Sequence, residues 1–336
     1  MALSSLLSSS FLLSSLPILL LSSLLYRAFL SPLSSIPGPL IARFTSLWIW
    51  YHSYIGDECR VIEGLHAKYG PVVRIAPNEC IIADGAALGP IYNERGGFRK
   101  ADCYANFDLE GHATIFSAID GEYRAKRSKA VVPLFSQSNI RAGQDVVEGC
   151  VGRFMERARV EAKTGRPVNM LNLCRSLALD AVSSYLFGKT YGGIEEKSER
   201  LSASSFVDEV VAFGRFFFLP NWVFVPILIA SEKLFAGKEV KESTLTVDEF
   251  SQRLVDEASP SDDTYQGRLK KAGISDHEIK IQCNDLIFAG TDSTGTNIST
   301  ICWWLAKRPI AYEPSSSKHA SAISLTLRSQ LQNPTK

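Results

Sequence analysis

Apolar and polar positions divide the chain into three unlike stretches: an uncharged start, a patterned body and a polar end. From Met1 to Tyr26 no residue is charged, and Leu, Ile, Phe and Ser fill the run LSSLLSSSFLLSSLPILLLSSLLY. A run of that length can cross a bilayer, so the pattern predicts a transmembrane helix over about residues 3–26, kinked at Pro17. Its serines can bond back to helix carbonyls. Arg27 and Arg43 lie on its C-terminal side, which by the positive-inside rule leaves the bulk of the chain in the cytosol. A cleaved secretory signal is the rival reading, but the run is longer than a signal core and no basic residue precedes it. The following SPLSSIPGPL contains Pro32, Pro37 and Pro39, which stiffen residues 31–40 into a hinge that lifts the body off the membrane.

In the body, VIEGLHAKY has helical spacing and ends at Gly70-Pro71. VVRIA and CIIAD, separated by Pro77-Asn78, read as a hairpin. AALGPIYN predicts a short helix before the irregular stretch ERGGFRKADCYANFDLEGHATIF, a loop of the kind that lines sites. From Asp120 the spacing is helical over about 120–131, 138–163, 170–187, 203–218, 239–257 and 274–308. Breaks fall at Pro133, Gly165-Arg166-Pro167, Gly192-Gly193, Pro220 and Ser259-Pro260. The expected fold is mainly α with a small β-sheet, plus the N-terminal transmembrane helix. FFFLPNWVFVPILIA is too interrupted by proline for a second span, and reads as a buried loop or a surface dipping into lipid.

The most informative segment is GISDHEIKIQCNDLIFAGTDSTGTNISTICWWLAKRP, where Ser275 and Glu278 form a capping box that starts a helix. Its centre, Ala289 to Thr296, is weak: glycine costs about 1 kcal/mol relative to alanine, and hydroxyls compete for backbone carbonyls. In one reading Gly290 ends a helix and Asp292 or Ser293 caps the next. In the other a single helix opens at one turn, presenting a small-residue notch and an acid–hydroxyl pair to a bound reactive group. Asp followed by Ser and Thr suits delivery of protons from water to a reduced oxygen species.

Composition narrows the partners. Hydrophobic residues at 46% exclude intrinsic disorder, and a net charge of +1 gives no footprint for nucleic acid. Seven scattered cysteines without a C-x-x-C pair read as reduced thiols in a reducing compartment rather than a disulfide framework.

Ala289-Gly290-Thr291-Asp292-Ser293-Thr294 resembles the distal-helix signature of the cytochrome P-450 monooxygenases, Ala/Gly-Gly-x-Asp/Glu-Thr-Thr/Ser. The N-terminal run, the hinge ending Pro37-Gly38-Pro39, HAKYGPVVRIAPN and SYLFG follow in the same order as in the fungal microsomal type, and the resemblance covers about residues 36–309. It implies the distal part of a P-450-like fold, heme as cofactor, an apolar small-molecule substrate and an NADPH-dependent reductase. It also implies single-pass anchoring in endoplasmic reticulum lipid. Through it Asp292 matches the acid of the proton relay, and Ser293 the hydroxyl that bonds iron-bound oxygen. Thr294 is the last motif position, and Ala289 and Gly290 form the notch above the heme. Tyr123-Arg124-Ala125-Lys126-Arg127 resembles the helix that holds the heme propionates, with Tyr123 and Arg127 on one face. A register anchored on Pro133 and Phe135 selects Arg124 and Ser128 instead, and a solvated charged face is the plain alternative.

The family's later signatures are a Glu-x-x-Arg pair and a Phe-x-x-Gly-x-Arg-x-Cys-x-Gly loop whose thiolate binds iron. No Cys follows Cys302, and Glu156-Arg157-Ala158-Arg159 precedes the distal helix. After Pro309 the chain turns polar and Ser-rich, like read-through sequence. The expected organisation is an anchor at 1–30, a hinge at 31–40, a partial P-450-like domain at 41–309 and a divergent tail at 310–336. The functional expectation is a monooxygenase by descent that oxidises an apolar small molecule in secondary metabolism, inactive as written. The alternative is a membrane-anchored non-catalytic remnant or a misannotated gene product.

Overall fold

In chain order the helices and strands are α1 (Ser9–Leu25), α2 (Leu47–Ile55), α3 (Glu58–Tyr69), β1 (Val72–Ala76), β2 (Glu79–Ile82) and α4 (Gly121–Val131). There follow α5 (Gln137–Ala142), α6 (Gln144–Lys163), α7 (Met170–Val182), α8 (Ser204–Phe213) and α9 (Asn221–Phe235). The last are α10 (Lys238–Glu257), α11 (Tyr265–Lys271) and α12 (Asp276–Lys307). The computed structural model describes residues 9–93, 98–198, 200–235 and 237–308. The expectation of a divergent tail at 310–336 lies outside them. Two units result, Met1–Cys103 with Phe213–Val225, and Tyr104–Ala212 with Pro226–Lys336.

The first unit is built on the predicted hairpin. β1 and β2 pair antiparallel with Val73 opposite Ile81 and Arg74 opposite Cys80. Val73, Ile75 and Ala76 join Ile49 in a small core, with Trp48, Ile62, Leu65 and Phe218 against it. Helix α2 escaped the pattern because LWIWYHSYI is apolar on most sides. The hinge is not a free spacer. The Arg74 amide donates to the Pro37 carbonyl at 2.8 Å. Its buried guanidinium donates to the carbonyls of Arg27 at 3.2 Å, Leu33 at 3.3 Å and Pro77 at 2.6 Å. Gly38 lies so close to the Arg74 carbonyl that a Cβ would collide with it. Residues 31–40 are therefore clasped to β1.

The transmembrane expectation over residues 3–26 begins outside the described residues; among the described residues no helix is long and apolar enough to cross a membrane. Within the described residues helix α1 covers Ser9–Leu25. Its Leu19, Leu20 and Leu21 are exposed. FFFLPNWVFVPILIA is largely helix α9, with Pro226 inside it, rather than a loop.

The second unit is helical. The main core joins Leu179, Phe187, Phe206, Val247, Phe250, Leu269, Ile279 and Ile287. The predicted helix at 138–163 splits into α5 and α6 at Gly143, where a Cβ would strike the Tyr185 ring. Asp180, fully buried on α7, accepts from the amides of Gly192 at 2.9 Å, Gly193 at 2.8 Å and Ile194 at 3.1 Å. The Gly192-Gly193 break is thus a loop gathered around a carboxylate, with Gly192 at φ 94°. Burial pushes the Asp180 carboxyl up despite those three bonds.

Candidate active-site helix

Helix α12 is one continuous helix of 32 residues, so neither the turn nor the opened-turn reading of its centre holds. Ser275 starts it, its hydroxyl accepting from the Glu278 amide at 3.4 Å. The Glu278 carboxylate does not close the capping box. It pairs with the Arg127 guanidinium through Nε and, at 2.8 Å, through Nη2. Tyr123 Oη donates to Glu278 at 2.6 Å, and Arg127 lies over the Tyr123 ring. Burial alone would raise the Glu278 pKa, but the bonds from Arg127 and Tyr123 outweigh it and hold the carboxyl below the ordinary carboxylate range. Burial, then the bond to Glu278, pushes the Tyr123 phenol up to about 12. The predicted face of Tyr123 and Arg127 is therefore real, and its partner is a carboxylate of this chain. Arg124 is exposed.

The weak centre is explained by packing against α7. A Cβ on Gly290 would lie 2.7 Å from Val182 Cγ2, and one on Gly295 would lie 3.0 Å from the Arg175 amide nitrogen and Cα. Glycine lets the two backbones meet. The hydroxyls bond back along the helix without breaking it: Ser293 Oγ donates to the Ala289 carbonyl at 2.7 Å and Thr300 Oγ1 to Thr296 at 2.8 Å. Asn297 Nδ2 donates to the Ser293 carbonyl at 2.8 Å. Ala289, Ser293, Thr294, Thr296 and Asn297 are exposed, whereas Thr291 and Gly295 are buried. At 100° per residue the expected notch separates: Ala289 stays on the open polar face and Gly290 turns to α7.

Asp292 sits at the edge of that face. Its carboxylate takes a 2.6 Å bond from Arg175, which also binds Asp208 of α8 at 2.7 Å. The Arg175 side chain is 7% exposed and that of Asp292 28%. Asp208 pairs onward with Arg200 at 2.8 Å, and Arg200 with Glu239 at 3.1 Å, so a chain of alternating charges runs from the surface to Asp292. Burial works against the Arg175 cation, but its bonds to both carboxylates raise its pKa overall. Asp292 and Ser293 are neighbours without a direct bond, each held by its own partner. Arg175 was missed by motif reading, though an arginine inside the apolar run MLNLCRSLALDAV signals a buried ion pair.

Helix α12 thus packs on α7 at its glycines and carries an acid and hydroxyls at its open edge. The cytochrome P450 family model matches residues 37–314, and the chain belongs to that family. It is 38% identical over 316 residues to the cytochrome P450 monooxygenase mfmF of Annulohypoxylon moriforme, covering 88% of this chain and 64% of that protein. It is 26% identical to a trichothecene C-4 hydroxylase of Trichoderma arundinaceum, covering 85% of this chain and 58% of that one. A grayanic acid cluster P450 monooxygenase of Cladonia grayi is 32% identical over 52% of this chain and 33% of its own. The chain thus spans about three-fifths of the length of the first two.

Family membership implies heme as the cofactor. The cysteines present do not offer its thiolate ligand loop. Each of the seven cysteines lies inside a helix or strand: Cys59, Cys80, Cys103, Cys150, Cys174, Cys283 and Cys302. None stands in a glycine-rich ligand loop, and burial pushes the Cys283 thiol up, away from the thiolate that iron needs. Arg127, expected at a propionate, is committed to Glu278.

Proposed function

We propose that the chain is the distal portion of a fungal secondary-metabolism monooxygenase that oxidises an apolar small molecule with electrons from an NADPH-dependent reductase. The observation that carries this reading is the edge of α12, where the Arg175-paired carboxylate of Asp292 adjoins the exposed hydroxyls of Ser293 and Thr294. Ser293 Oγ spends its proton on the Ala289 carbonyl and keeps its lone pairs to accept from water. Asp292 supplies protons from solvent when Arg175 turns to Asp208 alone. Ala289 keeps the open face shallow beside Ser293, and Gly290 sets the depth at which α12 seats on α7. Tyr123 and Arg127 orient the start of the helix through Glu278, with Arg124 on the solvent side for an anionic group. Exposed leucines of α1 and Trp222 of α9 associate with lipid of the endoplasmic reticulum, leaving the body on the cytosolic side.

Sequencing cDNA across the Pro309 codon is the first step of the test, because it reports whether a Cys-loop exon is joined there. In such a joined enzyme Asp292→Asn lowers turnover with little change in substrate affinity, and Ser293→Ala diverts reducing equivalents to peroxide or water. Unchanged product per reducing cofactor in both variants would remove the relay assignment. A second reading, a non-catalytic remnant, is favoured by the cysteine placement. It expects the reduced 336-residue chain under carbon monoxide to lack a red-shifted thiolate Soret band.

A further inference from the structure

Helices α7 and α12 meet backbone to backbone where Gly295 lies on Arg175, with no room for a Cβ between them. Three and seven residues beyond Gly295, Ile298 and Cys302 continue the same face of α12. Ile298 packs on the cluster that contains Cys174, the fully buried neighbour of Arg175. At the next step the half-buried Cys302 lies beside Cys174, near enough for each thiol to shift the acidity of the other. Cys150, in the same cluster, is instead engaged with Ser184 at 3.8 Å and Arg153 at 3.4 Å. One thiol of the α7–α12 pair is reachable by a small solute and the other is sealed beneath it.

We propose that Cys302 and Cys174 form a peroxide-driven disulfide, Cys302 as the thiol that reacts and Cys174 as the thiol that resolves it. The Cys302 sulfur attacks one oxygen of hydrogen peroxide. The O–O bond breaks, hydroxide leaves and is protonated to water, and Cys302 becomes a sulfenic acid. The Cys174 sulfur, losing its proton, then attacks the Cys302 sulfur. The S–S bond forms, the S–O bond breaks and a second water departs. Two thiols lose two electrons and one peroxide is reduced to two waters.

The acidity of the pair favours that order. The neighbouring Cys174 thiol holds the Cys302 thiol down at about 7, while the same contact, and then burial, push Cys174 up. Cys302 is therefore richer in thiolate at neutral pH than an ordinary thiol of pKa about 8.5. A disulfide needs Cα atoms roughly 4.4–6.8 Å apart, and the glycine contact brings the helices toward that range. The bond would tie the open half of α12 to α7 and close a loop of roughly 130 residues.

The test uses the full chain, purified reduced in detergent and exposed to hydrogen peroxide at pH 7. Peptide mass spectrometry without reduction is expected to find Cys174–Cys302 as the main linked peptide, reversible by dithiothreitol. A rise in Tm of roughly 5–10 °C should accompany it. In Cys174→Ser, dimedone should trap a sulfenic acid on Cys302, and iodoacetamide labelling of Cys302 should shift its half-maximum from about pH 7 toward about 8.5. If Cys174→Ser does not fold, the labelling profile of the unaltered chain decides the same point. No linked peptide and no trapped sulfenic acid on Cys302, or linkage mainly through Cys59, would overturn the proposal.

Discussion

The two halves of α12 are written in similar letters and end in opposite environments. Toward its start, Ile279, Ile281, Cys283 and Ile287 are fully buried. Toward its end, Ile301 is 57% exposed, Trp303 49%, Trp304 47% and Leu305 42%. Both halves have the spacing of a buried helix, so spacing tells that a face is apolar without telling what covers it. Helices α7, α10 and α11 pack against α12, and α7 covers one side of its centre at Gly290, Gly295 and Ile298. The A-G-T-D-S-T motif lies where α12 is covered on one side and open on the other, so Asp292 is both paired and reached by water.

The strongest way to break the contrast is to attack the buried half. Glu278→Gln leaves the Arg127 cation buried beside a neutral partner and is expected to cost about 3 kcal/mol at pH 7, read by urea unfolding. Because the folded pKa of Glu278 is lowered, its stabilisation is present above the ordinary carboxylate pKa and lost as pH falls through the folded value. The gap between the two proteins should therefore narrow as the pH falls through and below the ordinary carboxylate range. A gap that does not change with pH down to full protonation of the carboxylates would show that the pair contributes packing rather than charge.

Gly295→Ala sharpens the comparison at the boundary. Alanine is the better helix former by about 1 kcal/mol, so an open helix would gain stability. Here the methyl would press on the Arg175 backbone, and overpacking of about 1–3 kcal/mol should win. A thermal melt showing a higher Tm would contradict the close approach. The smallest effect belongs to the open half: Trp303→Ser should change unfolding free energy by no more than about 0.5 kcal/mol in this chain. A larger loss would mean that the tryptophan is covered in solution.

Local signals were legible wherever one residue type has one physical use. Pro77-Asn78 between β-rich runs marked the hairpin, Asp120 and Ser275 marked helix starts, and both were found. The acid-and-hydroxyl motif placed the candidate site on a buried helix, and the predicted Tyr123–Arg127 face exists. Less legible were elements whose pattern is ambiguous. Helix α2 is apolar nearly all round, and the prolines of 216–230 suggested a loop where α9 forms.

Sequence by itself determined that the chain would be mainly helical with one small hairpin, that α12 would start at Ser275, and that its centre would be rich in small and hydroxylated residues. Those properties follow from backbone conformation and spacing along a few neighbouring positions. Tertiary structure decided what the glycines were for, bringing Val182 and Arg175 against Gly290 and Gly295, so a locally weak helix stays whole because it packs closely. It also decided that Glu278 serves Arg127 across 151 residues, that Asp292 shares Arg175 with Asp208, and that Arg74 clasps the hinge. A buried charge takes whichever partner the fold brings within hydrogen-bond reach, and that partner can lie anywhere in the chain.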